Sequence, residues 1–231
     1  MGSVRPMLFK LLAYTVAATF VGLFFLNSTE TEKELMPHGH SMLPSIESGK
    51  VILATRSFEN VFRGDIFVIN QNKTEMPTER TPDGPYIKRV LGMPGDILTL
   101  SKDDGSLEAV NGELVSYEAN ESYPRFSFNS TQDSMPNQSI PVSAYTVSVG
   151  SLSYPAYLAD KKIFASTSRL SDFAEMVFNY PWLEQQDASG GHYYVEIPDA
   201  HYFVASDNFI GEDSRHFGLV HRSAFIYKFK G

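Results

Sequence analysis

Two side chains set the chemical possibilities of this chain. Ser41 sits in His40-Ser41-Met42-Leu43-Pro44, and Lys88 lies 47 positions later in Tyr86-Ile87-Lys88-Arg89-Val90-Leu91-Gly92-Met93-Pro94-Gly95-Asp96. A serine hydroxyl attacks a carbonyl poorly until a base takes its proton, and a lysine is such a base only when neutral. Ile87 and Val90 bracket the Lys88-Arg89 pair. Neighbours on a strand point to opposite faces, so one of these cations faces away from the other. A lysine turned into an apolar wall has its pKa driven down by desolvation. From an ordinary value near 10.4, reaching about 8 costs roughly 3 kcal/mol. Arg89 keeps its charge and cannot serve as the base.

A histidine base is the rival. His38 and His40 lie close to Ser41 in sequence, but on an extended strand both have the parity opposite to Ser41. As a metal pair they lack a third ligand nearby, and no metal or other cofactor is expected. Gly39 permits unusual backbone geometry beside the hydroxyl, Pro44 stiffens the exit, and the Ser41 N–H can point at a developing oxyanion. A third cluster, Ser206-Asp207-Asn208-Phe209-Ile210-Gly211-Glu212-Asp213-Ser214-Arg215-His216-Phe217-Gly218, carries acids, an amide and an arginine that can brace Lys88-Arg89.

The elements that must hold these groups read as strands. Short apolar runs at 51–54, 65–69, 86–91, 97–100, 192–197, 201–205 and 224–229 are bounded by Gly, Pro or charge. Many short strands with turn residues between them predict an antiparallel barrel or sandwich. Gly64-Asp65 and Gly95-Asp96 each precede such a run, a turn chemistry in which glycine opens the backbone and aspartate takes nearby amides. From Lys102 to Gly191 the texture turns to Ser, Asn, Tyr and Pro, with one helical-looking stretch at Leu170–Phe178. This segment is expected to be an inserted smaller lobe.

Met7–Leu26 is apolar over 20 positions, about 30 Å as a helix and so one hydrocarbon thickness. Arg5 and Lys10 precede its interior, and Glu30, Glu32 and Glu34 follow it. The positive-inside rule then leaves the N-terminus in the cytoplasm and everything after Leu26 outside. No Ala-x-Ala site follows, which favours an anchor over a cleaved signal. The net charge of −8 gives nucleic acid no basic face, and the absence of cysteine excludes a thiol nucleophile and disulfides.

Taken in order, Ser41-Met42-x-Pro44, Arg63-Gly64-Asp65-Ile66, the Tyr86–Asp96 run and Asp207-Asn208…Asp213-Ser214-Arg215…Gly218 resemble the motif set of type I signal peptidases, the S26 serine–lysine proteases. The resemblance runs from Pro37 to the C-terminus apart from the lobe. It implies a mainly β, antiparallel catalytic core of signal-peptidase type with the inserted lobe, preceded by one transmembrane helix. The parts are then a cytoplasmic N-terminus at 1–6, an anchor at 7–26, a linker at 27–35, a core at 36–101 and 192–231, and the lobe at 102–191. The resemblance implies Ser41 as nucleophile and Lys88 as general base. Ser41, Met42, Tyr86 and Ile87 would form the oxyanion position and shallow substrate groove. Arg89, Asp207, Asn208, Asp213 and Arg215 would brace the site, with Asp207 pairing to Arg89. The implied partners are the membrane bilayer and the signal peptides of exported preproteins, cut after small residues at −1 and −3, on the outer face of the plasma membrane.

Two positions depart from the family pattern. Ser206 stands where glycine is usual, and Phe209-Ile210-Gly211-Glu212 stand where the family carries polar residues and a serine that orients the lysine. Glu212 beside a lysine would raise its pKa, so it is expected to point away. The alternatives are a specialised relative that processes one substrate, such as a pilin or conjugation protein, and a non-catalytic relative that keeps the groove. A repressor-type self-cleaving protease shares the dyad, but it would carry a DNA-binding domain in place of the apolar stretch.

Overall fold

The structure, a computed structural model, describes residues 32–74, 85–123, 126–129, 139–159, 180–186, 188–209 and 211–230. The apolar stretch Met7–Leu26 and the helical-looking Leu170–Phe178 lie outside them. Among the described residues no helix is long and apolar enough to cross a membrane.

The main sheet has seven strands. In chain order these are β1 (Glu32–Leu35), β2 (Ile52–Thr55), β3 (Ile66–Ile69), β4 (Tyr86–Gly92), β14 (His201–Ala205), β15 (Val220–His221) and β16 (Phe225–Phe229). They lie in the order β1-β2-β16-β3-β4-β14-β15, and every ladder is antiparallel. β4 therefore runs through the interior of the sheet, between β3 and β14. Lys88 lies opposite Phe67, and Arg89 lies between Ile66 and Ala205. Alternation puts Tyr86, Lys88 and Val90 on one face and Ile87, Arg89 and Leu91 on the other. Tyr86 and Val90 join an apolar cluster with Phe67, Val204 and Phe217, while Leu91 joins a different one with Leu98, Leu100 and Phe203.

The two Gly-Asp turns set where β3 and β5 (Ile97–Ser101) begin. Gly64 and Gly95 have φ of 96° and 84°, in the left-handed region that favours glycine. Asp65 takes the Phe62 N–H and Asp96 takes the Met93 N–H, each three residues back. Arg63 then ties the turns together, donating to the Asp96 carboxylate at 2.9 Å and to the Leu91 carbonyl.

The segment expected to form a separate lobe divides between two sheets. One is four-stranded, built from β8 (Ser116–Ala119), β9 (Phe126–Asn129), β10 (Ser139–Val149) and β11 (Leu152–Ala159). The other joins β12 (Ala188–Ser189), β13 (His192–Glu196), β5 (Ile97–Ser101), β6 (Leu107–Val110) and β7 (Glu113–Leu114). β6, β7 and β12 thus extend the sheet that holds β5 and β13. Tyr180, Trp182 and Leu183 from the same segment are buried in the cluster that also takes in Leu91, Val147 and Tyr154. Glu32–Leu35, within the stretch read as a linker, pair with β2 as a charged edge strand.

Candidate active site

Ser41 lies in a turn-rich segment between β1 and β2, half-buried, while its neighbour Met42 is buried against Ile46, Ile52 and Ile66. Ile87 and Leu35 pack on the same cluster. Met42 therefore anchors the segment in an apolar floor, while Ser41 stays partly exposed beside it. His38 and His40 are exposed, and Lys88 is the side chain in contact with Ser41.

The Lys88 amine lies 3.2 Å from Ser41 Oγ and is only 2% exposed. Burial lowers its pKa to about 8. Asp213, Asp207 and Glu212 pull the other way, Asp213 most strongly, and Arg215 assists the lowering. Desolvation is the largest effect and wins, even though both aspartates keep their pull. Arg89 holds Asp207 through two bonds, Nε to Oδ1 at 2.7 Å and Nη2 to Oδ2 at 2.6 Å. Its remaining donors go to the Gly64 carbonyl at 2.8 Å and to Ser45 Oγ at 2.9 Å. Burial pushes the Asp207 carboxyl up, and Arg89 opposes that shift. For Arg89 itself, burial works against the charge and Asp207 more than restores it.

Asp213 does several jobs at once. It caps a one-turn helix, Ser214–Phe217, by taking the Arg215 N–H at 3.1 Å. The Arg215 side chain closes on the same carboxylate at 2.8 and 2.6 Å, and the Ser206 N–H donates to it at 3.0 Å. Burial alone would raise its pKa, yet Arg215 and His216 hold it well below the usual carboxylate range. Asn208 is fully buried and clamps the Ser41 segment. Its backbone N–H donates to the Ser41 carbonyl at 2.9 Å, and its side-chain amide donates to the His40 carbonyl at 3.0 Å.

Glu212 does not point away, as the sequence suggested. The Tyr86 hydroxyl donates to it at 3.2 Å, and its charge still reaches Lys88. Tyr86 stacks on Phe217 with its ring 5.3 Å from the Lys88 amine, so it belongs to the lysine's face of β4 and Ile87 to the opposite one. Several contacts had no signal in the sequence. Ser45 bonds Arg89, and the Tyr154 ring covers the Arg89 guanidinium at 4.7 Å. Gly211 sits so close that a Cβ there would come within 2.6 Å of the Ser41 Cβ and 2.3 Å of Ser206 Oγ. The Ser206 hydroxyl thus fills the space that a side chain at 211 would need. Only the nearness of Ser45 to Ser41 in sequence hinted at any of these.

Folding lowers the Lys88 pKa, so the unfolded chain holds an extra proton between about pH 8 and pH 10.5. Stability climbs with pH across that window, and the penalty of about 3 kcal/mol is complete below it. Lys88→Met is therefore expected to raise the urea midpoint at pH 7, with the gain fading towards pH 10.5. Asp207→Ala leaves Arg89 buried and unpaired, at a cost of about 3 kcal/mol or more. It is expected to lower the same midpoint well beyond any surface substitution.

Comparison with known proteins places these residues in context. The sequence model of the family described as "Signal peptidase, peptidase S26" matches residues 7–230. Signal peptidase I of Bacillus caldolyticus is 35% identical over 80 residues, which cover 33% of this chain and 37% of that protein. The match therefore takes in little more than a third of that relative's length. A crystal structure of a signal peptidase I from Enterococcus faecalis aligns over 73% of this chain and 96% of its own, at 17% identity and a TM-score of 0.31.

Proposed function

We propose, from the premise that the chain belongs to the S26 signal peptidase family, that it is a serine endopeptidase removing signal peptides from exported preproteins. Ser41 is the nucleophile and Lys88 the general base. The observation that carries this reading is the buried Lys88 amine 3.2 Å from a half-exposed Ser41 hydroxyl. Neutral Lys88 takes the Ser41 proton as Oγ attacks the scissile carbonyl. The resulting ammonium gives that proton to the departing amine, leaving an acyl-enzyme. A water then attacks the ester, with Lys88 again taking and returning the proton.

Asn208 fixes the Ser41 backbone through the carbonyls of Ser41 and His40, which supports a fixed role for the Ser41 N–H as an oxyanion donor. The apolar floor of Met42, Ile46 and Ile87 suits small apolar substrate side chains at −1 and −3. Arg89, Asp207, Asp213 and Arg215 act on Lys88 and Ser41 by position and charge. The proposed parts remain an anchor at 7–26, a catalytic core at 36–101 and 192–231, and an inserted segment at 102–191 that shares one of its two sheets with the core. The anchor leaves the catalytic unit on the outer side of the plasma membrane.

With detergent-solubilised full-length protein and a model preprotein, Ser41→Ala and Lys88→Ala are each expected to abolish cleavage while folding is kept. The double variant should be no worse than either single one, because the two groups act as a unit. The kcat/KM of the wild type should rise with pH on a limb near 8, where Lys88 loses its proton. Near-normal turnover by Lys88→Ala, with loss in His38→Ala or His40→Ala instead, would remove the lysine assignment. For topology, protease added to intact spheroplasts is expected to digest the region after Leu26. A C-terminal reporter active only in the cytoplasm would contradict that orientation.

A further inference from the structure

We propose that Tyr154, on the β10–β11 hairpin of the inserted segment, is a positioning residue for the Ser41 nucleophile. The inference rests on the serine–lysine peptidase reading and gives the hairpin a part in it. Four of the five in-plane N–H donors of the Arg89 guanidinium are spent on Asp207, Gly64 and Ser45. Those bonds fix the group within its plane. The guanidinium carbon sits 4.7 Å from the centroid of the Tyr154 ring, itself 8% exposed, and this buried contact adds a restraint that the in-plane bonds do not supply.

The same strand grips the acidic motif directly. The Tyr157 N–H donates to the Asp207 carbonyl at 2.8 Å, and the Phe209 N–H donates to the Tyr157 carbonyl at 3.0 Å. Tyr157 and Asn208 form a lone parallel bridge. Leu152, at the start of β11, lies so close to Gly64 that a Cβ there would come within 2.5 Å of it, and Gly64 supplies a carbonyl to Arg89. Asn208 in turn holds the Ser41 and His40 carbonyls. The hairpin, the Asp207–Phe209 segment and the nucleophile turn therefore form three consecutive layers. Displacing the first loosens the last.

Tyr154→Met keeps much of the bulk and loses the ring face. Its kcat on a model preprotein is expected to fall about tenfold or more with KM within about twofold, since misplacing a nucleophile costs turnover before binding. Tyr154→Phe keeps the ring and is expected to stay within about twofold of wild type in both. Hydrogen exchange at the Asn208 amide, which is bonded to Ser41, should quicken about tenfold in Tyr154→Met and stay unchanged in Tyr154→Phe. Wild-type kcat with wild-type Asn208 exchange in Tyr154→Met overturns the inference, and so does a loss confined to KM. If Tyr154→Met does not fold, Tyr154→Leu takes its place with the same readouts. The exchange measurement needs no substrate. A wild type that cleaves nothing would sink the peptidase reading alone, and the Asn208 amide would still decide on Tyr154.

Discussion

Everything at this site depends on how charge is balanced around one buried amine. A lysine surrounded by carboxylates would normally hold its proton, and Asp207, Asp213 and Glu212 all favour that outcome. Two of the three are matched by arginines that never deprotonate, Arg89 on Asp207 and Arg215 on Asp213. Those arginines hold the aspartates in place, but Asp213, Asp207 and Glu212 still pull the lysine towards its charged form, and Arg215 offsets only part of that. Burial of the amine outweighs all three, so the amine can exist without its proton near pH 8.

This balance explains why the surroundings are so heavily hydrogen-bonded. A buried pair is tolerable only when its remaining lone pairs and protons are met. Arg89 meets this with Gly64 and Ser45, and Asp213 with Ser206 and the Arg215 amide. Those partners come from the nucleophile turn, the first Gly-Asp turn and the segment after β14. The groups that neutralise charge also fix distances, so electrostatics and geometry cannot be tuned separately here.

What was legible in the sequence is what short-range rules govern. Alternation along β4 separates Lys88 from Arg89, and the glycine–aspartate pairs mark turns whose carboxylates reach back three residues. The short apolar runs foretold an antiparallel β protein, and the turn residues between them located most of its main sheet. Contacts set by how distant strands pair were not legible. Nothing in Leu152–Ala159 says that Tyr154 will face an arginine 65 positions earlier, or that Tyr157 will pair with Asn208. The change in texture after Lys102 suggested a separate lobe because composition varies with exposure. Pairing of β6 with β5 and of β12 with β13 crosses that boundary. Glu212 was misjudged for a related reason, since its hydrogen-bond donor, Tyr86, lies on another strand.

The links that make the site also reach far along the chain. Ser41 to Lys88 spans 47 residues, Arg89 to Asp207 spans 118, and His40 to Asn208 spans 168. No fragment that stops short of β14 contains the aspartate and asparagine that hold the dyad in place. Such non-local contacts carry a large loop-closure cost that must be met before they form. A chain emerging from the ribosome therefore carries Ser41 and Lys88 long before Asp207 and Asn208 exist to brace them. The arrangement that brings hydroxyl and amine together is withheld from every nascent chain that has not yet reached β14, as a missing subunit would withhold it from an assembly.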